Sequence, residues 1–142
     1  MPVDVRPGLR NYLLTDSAIS AMVGGARIWP VKAKEGNRDD CVVYIRVLEN
    51  EAYHYLGPAN IVGARFQLDT WSQSTDRVNQ LAELVKARLG GAFGRWFYGG
   101  NSPTDYVDVQ GAFLLTGFED YSQDIQMYRF SRDYMIWYED AL

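Results

Sequence analysis

Residues 61–72 alternate strictly. Val62, Ala64, Phe66, Leu68 and Thr70 fall on one face, and Arg65, Gln67, Asp69 and Trp71 on the other. A period of two predicts a strand with one buried face and one largely wet face. The period then changes. From residue 74 to 89, Val78, Leu81, Ala82, Val85 and Leu89 recur at helical spacing, which predicts an amphipathic helix. Ser74 is the expected N-cap, Asp76 puts negative charge in the first turn, and Gly90-Gly91 is the stop. Leu84 lies off the main stripe; it either widens the core face or stays exposed.

Upstream, residues 7–23 predict helical structure, first a helix with Leu9, Tyr12 and Leu13 on one face. A second short helix follows, capped by Thr15 or Asp16, carrying Ile19, Met22 and Val23 and ended by Gly24-Gly25. Residues 27–31 predict a short extended piece, and Pro30 makes it an edge or a bend. Residues 32–40 predict a loop, and 41–48, rich in β-branched and aromatic side chains, a strand. Residues 49–60 predict a long polar and aromatic loop, and 92–103 a loop holding Phe93, Trp96, Phe97 and Tyr98 between glycines. Residues 106–118 predict a strand kinked at Gly111, then a turn over 120–124. The last strand, 125–138, carries Tyr128, Phe130, Tyr134, Ile136 and Tyr138 on one face, interrupted by Arg132. This order predicts a single α+β domain: an antiparallel sheet of about four strands with helices packed on one face.

Composition narrows the function. The chain has 142 residues, enough for one domain with a real core. Its net charge is −4 and no stretch clusters Lys and Arg, so direct nucleic-acid binding is not expected. Aromatics make up 14% of residues, enough to serve a core alone or a core and an interface together. Cys41 is the single cysteine, in the apolar run 41–45, and is expected to be a buried, inert thiol. Asp4, Arg6 and Pro7 leave no apolar run for a signal peptide, and no apolar run is long enough to span a membrane.

No constellation for catalysis emerges. His54, the single histidine, sits between Tyr53 and Tyr55 without a nucleophile motif. One histidine and one cysteine are too few for a zinc site. The acidic clusters Asp39-Asp40, Asp105 with Asp108, and Glu119-Asp120 lack the oxygen spacing of a hard-cation loop, so solvated turns and strand ends account for them. Residues 90–95 are glycine-rich but follow a helix, whereas a phosphate-cradling loop follows a strand. Neither an enzyme nor a cofactor is expected. Two aromatic segments remain, Tyr53, His54, Tyr55 and Leu56, and Phe93, Trp96, Phe97 and Tyr98. Each either folds onto the core or anchors a partner.

Several segments together resemble the tail-completion, or tail-terminator, proteins of long-tailed bacteriophages and gene-transfer particles. They are LLTDSAISAMVGGARIWP (13–30), the Val42-Val43-Tyr44 strand, Leu56-Gly57 followed by the alternating Arg65, Gln67, Asp69 and Trp71 and the helix, and the final strand with Trp137-Tyr138. The resemblance implies a structural virion protein, made in the bacterial host cytoplasm. It implies a ring, usually hexameric, at the head-proximal end of the tail. Such a ring ends tail-tube polymerisation and offers the docking surface for the head-completion or connector protein. Its partners are further copies of itself, the tail tube protein and the connector; DNA passes through without specific binding, and no membrane is involved. On that reading the wet face of Arg65, Gln67, Asp69 and Trp71 and the two aromatic segments are candidate subunit or partner contacts. Glu49 and Glu51 are candidate lumen residues. The alternatives are another neck, connector or minor tail protein, or a small-molecule-binding domain with a pocket between helix and sheet.

Overall fold

A computed structural model of the chain describes residues 4–54, 57–99 and 105–139, with side chains described outside 50–60. Three helices, α1 (Val5–Leu14), α2 (Ser17–Met22) and α3 (Thr75–Leu89), accompany six strands. The strands are β1 (Ile28–Pro30), β2 (Cys41–His54), β3 (Gly57–Ser72), β4 (Gly94–Phe97), β5 (Tyr106–Ser122) and β6 (Met127–Glu139). They form one sheet in the order β1-β2-β3-β6-β5-β4.

The helices start where the local chemistry asks. Asp4, Asp16 and Ser74 each accept a hydrogen bond from a backbone N–H of the first turn, filling donors that a helix start leaves open. Pro7 sits in the first turn of α1, where its missing N–H costs nothing. Gly24 and Gly25 close α2, and Gly91 follows α3, all at positive φ.

The sheet is mixed and six-stranded, not antiparallel and four-stranded. The α+β class stands, with two short outer strands added. β1 runs parallel to β2, because the loop over 31–40 carries the chain back before β2 begins. β4 pairs antiparallel with β5 over Gly94–Phe97, within the segment expected to be a loop. Residues 49–54 and 57–60 are also strand, not loop. β2 and β3 continue pairing to His54↔Gly57, so they form a hairpin arm. Pairing by backbone hydrogen bonds needs no apolar alternation, which is why the sequence pattern stays silent there.

The apolar face of β3 (Val62, Ala64, Phe66 and Leu68) joins Tyr134, Ile136 and Tyr138 of β6 beneath the helices. The stripe of α3 packs there, and Leu84 widens it. Arg132 does not break this face. Its guanidinium reaches α3, donating to the Ala82 carbonyl and to Glu83 Oε1 at 2.7 Å. That ion pair holds the Glu83 carboxyl below its usual range. α1 lies against β4 and β5 at Gly8, where a Cβ would meet Val107 Cγ1 at 2.8 Å and the Trp96 carbonyl at 3.0 Å. Arg10 donates to the Ala26 and Ile28 carbonyls, and Arg27 to those of Met22 and Asp40, so several cations are consumed in bracing the chain.

Burial pushes the Cys41 thiol and the Tyr134 phenol each up to about 12, from 9.0 and 10.0. A group whose pKa is raised by folding contributes fully below its unfolded value and loses that contribution as pH rises through the folded one. Stability is therefore expected to hold up to pH 9 and to fall between pH 9 and about 12, by about 1.4 kcal/mol per pH unit for each ionising group. Urea midpoints measured across that range check this. Cys41→Ala is expected to delay the onset toward pH 10, the unfolded tyrosine value.

Candidate assembly surface

The sheet face opposite the helices carries the alternating polar residues of β3. It is less wet than the period of two suggests. Asp69 is only 3% exposed. Gln67 Nε2 donates to both its carboxylate oxygens, at 3.0 and 3.1 Å, and Arg129 NH1 stands 3.6 Å away. Arg129 in turn donates from Nε to Asp120 Oδ1 at 2.8 Å and from NH2 to Asp120 Oδ2. Those bonds lower the Asp120 carboxyl and raise the Arg129 guanidinium. The guanidinium also lies over the rings of Trp71 and Phe118. Further along the same face, Arg65 donates twice to Asp133 Oδ2, at 2.9 and 2.7 Å. The structure thus sets Arg65, Gln67, Asp69 and Trp71 on one face, with Arg65 paired to Asp133 of β6, and Asp69, held by Gln67, paired to Arg129 beside Trp71. Arg129, Asp133 and Asp120 were missing from the sequence-derived set, because only strand pairing brings them there.

Near the start of β2, the loop over 31–40 and Ile125 overhang this face and enclose about 300 Å³. Cys41, Val43, Ile45, Trp71 and Met127 line the space; of its polar groups, Gln67, Asp69 and Arg129 are bound to one another, and Lys32 and Asn37 come from the loop. It lies opposite the helices, not between helix and sheet. A second depression of about 340 Å³ holds Arg27, Arg38, Asp40 and Arg77. There Asp40 accepts from Ser72 Oγ at 2.7 Å and from Arg77 Nε at 2.6 Å, so it is a bracing acid and not a solvated turn residue. Among the described residues no group of three or more His, Cys, Asp and Glu side chains is placed to hold a metal ion, and no helix is long and apolar enough to cross a membrane.

The aromatic segment of β4 divides. Trp96 is 1% exposed and stacks on Tyr12 at 4.4 Å between ring centroids, with Arg88 on the other side of Tyr12 at 3.9 Å. Tyr98 packs partly against the core. Trp96 takes the core path, and Tyr98 is only partly covered by it. Phe93 is 76% exposed, and Phe97 is exposed beside Tyr106. Tyr53 and His54 pair by backbone with Pro58 and Gly57 at the tip of the arm. The side chains of Glu51, Tyr53 and His54, and all of Tyr55 and Leu56, lie outside the described residues. Glu49 accepts from the Tyr138 hydroxyl at 3.1 Å and stands 3.5 Å from Arg46, so its carboxylate is half-committed to the fold.

Helices thus cover one face of the sheet, ion pairs lie along the other, and Phe93 and Phe97 are exposed at β4 and just before it. The model of the tail completion protein gp17 family matches residues 7–139, and the chain belongs to that family. It is a structural tail protein. Among solved structures it is similar to a chain of a particle described as "Virion of native gene transfer agent (GTA) particle". The two share 16% identity over 92% of this chain and 91% of that one, with a TM-score of 0.65. At that identity the likeness is one of fold. No curated protein matches the chain.

Proposed function

We propose that this chain forms a ring, with six copies, that caps the head-proximal end of a phage-type tail tube. The ring ends tube polymerisation and presents the surface to which the head connector docks, while DNA passes through its centre. The observation that carries this is the family match across residues 7–139. The likeness in fold to a chain from a gene transfer agent virion supports the same setting. An acidic chain suits a channel for DNA, because it offers passing phosphates no cation patch to lodge on. Glu49 and Glu51 remain the lumen candidates. Phe93 and Phe97, residues 53–56, and the exposed parts of Arg65, Gln67 and Trp71 are the contact candidates.

Imaging with mass measurement, with and without tail tubes, tests the reading. Six-fold rings on one end of each tube, with tube growth arrested, are expected. Binding to capsids in place of tube ends would transfer the chain to a connector role. A monomer that leaves tube growth unchanged would overturn the proposal.

A further inference from the structure

The long strands of the sheet are left uncovered along two edges. β1 pairs with β2 only at Val42, Val43 and Tyr44, so beyond Tyr44 no described strand lies outside β2. β4 pairs with β5 only from Tyr106 to Val109, and Gly91 N–H adds one bond to the Ala112 carbonyl. From Phe113 to Ser122 no described strand lies outside β5. The two bare stretches, 45–54 on β2 and 113–122 on β5, are equal in length.

Natural sheets shield such edges with lysine, proline or a covering loop, since a bare edge is a template for pairing. Neither stretch contains a lysine or a proline. Both instead expose apolar side chains, among the charges of Arg46 and Glu49 on β2 and Glu119 and Asp120 on β5. Val47 and Leu48 are exposed on β2, and Phe113, Leu114, Leu115, Phe118 and Tyr121 on β5.

Direction decides what fits. β2 is antiparallel to β3, β3 to β6 and β6 to β5, so β2 and β5 run in opposite senses. Copies related by rotation about a common axis keep the same orientation along it. β5 of one copy therefore meets β2 of the next antiparallel, and the alternation continues around the ring unbroken. The covers sit at opposite ends: Cys41 shares a row with Asp120, whereas Val109 lies in line with Tyr138 and Val62. Full pairing of the bare stretches needs each copy to slide along its neighbour. A closed barrel of tilted strands demands such a stagger. Each stretch also holds a register irregularity, at Val47 and at Leu115, which bends a strand as closure requires.

We infer that copies of this chain join edge to edge, with residues 113–122 of one copy hydrogen-bonded to residues 45–54 of the next, so that one sheet runs around the ring. The inference rests on the ring reading above and names its joint. The partner is a second copy, because both halves of the joint are on this chain and their senses already match.

Amide hydrogen exchange, read by mass spectrometry on the free chain and on rings assembled at tail-tube ends, tests it. Slowing of about tenfold or more is expected in both stretches on assembly, at the alternate amides that face outward. Leu114→Lys with Leu115→Lys places charge on exposed edge positions; it is expected to keep the thermal midpoint and lose the rings. Rings in which neither stretch slows would overturn the strand joint and leave the ring standing. Slowing of 113–122 alone would overturn it in favour of a two-fold β5 pair. Tube ends that bear no ring, seen by imaging before exchange, would remove the ring reading and the joint with it.

Discussion

Trp96→Ala is expected to cost about 3–5 kcal/mol of folding stability, the range for deleting a fully buried large aromatic side chain. That is about a fifth or more of the stability of a typical domain. The loss has three named sources. The indole leaves the core cluster shared with Leu9, Val107 and Val109. The stack on Tyr12 goes with it, worth about 0.5–1.5 kcal/mol beyond area. The gap also closes poorly, because α1 already packs so closely at Gly8 that an added Cβ would stand 3.0 Å from the Trp96 carbonyl. Phe93→Ala, three residues away, is expected to change stability by less than about 0.5 kcal/mol, since its ring is in water. Under the ring reading, Phe93→Ala weakens tube capping instead. Urea denaturation of both variants beside a tube-length assay separates the two roles. Equal stability losses would refute the division of this segment into core and surface.

Much of the fold was legible because its signals are local. The three helices follow from apolar spacing and from caps at Asp16 and Ser74, and the buried face of β3 from strict alternation. What was missed depends on pairing between distant segments. β4 is four residues long; its pattern of Arg95 out, Trp96 in and Phe97 out is too short to count as alternation. The arm over 49–54 and 57–60 is written in backbone bonds, and the parallel setting of β1 follows from the path of a loop. Arg132 looked like a flaw in an apolar strand because its partners, Ala82 and Glu83, lie on α3. The family resemblance carried by residues 13–30, 42–44 and the β3–α3 segment was legible, and the match over 7–139 agrees with it. The candidate surface was half legible. Arg65, Gln67, Asp69 and Trp71 do share one face, yet the burial of Asp69 depends on an arginine sixty positions on.

That arginine sets the second large effect. Arg129→Met is expected to destabilise the fold by about 2–3 kcal/mol. Asp69 is nearly inaccessible, and without Arg129 its charge keeps only the Gln67 amide nearby. Removing one partner of a fully buried pair costs about 3–5 kcal/mol; the smaller figure applies because the Arg129 side chain retains 24% exposure. Asp69→Asn in the Arg129→Met background is expected to restore most of the loss, because the neutral amide no longer needs a cation. The reverse order discriminates further. Asp69→Asn alone leaves Arg129 on Asp120, an exposed acid, and is expected to cost under about 1 kcal/mol. A double-mutant cycle by urea denaturation measures the coupling. Additive losses would mean that Asp69 is stabilised by Gln67 and strand geometry, with Arg129 serving only the surface pair with Asp120. A coupling above about 1 kcal/mol would instead make the array on the helix-free face a structural element. Its rigidity would then hold β3, β5 and β6 at the spacing that the edge strands present to a neighbouring copy.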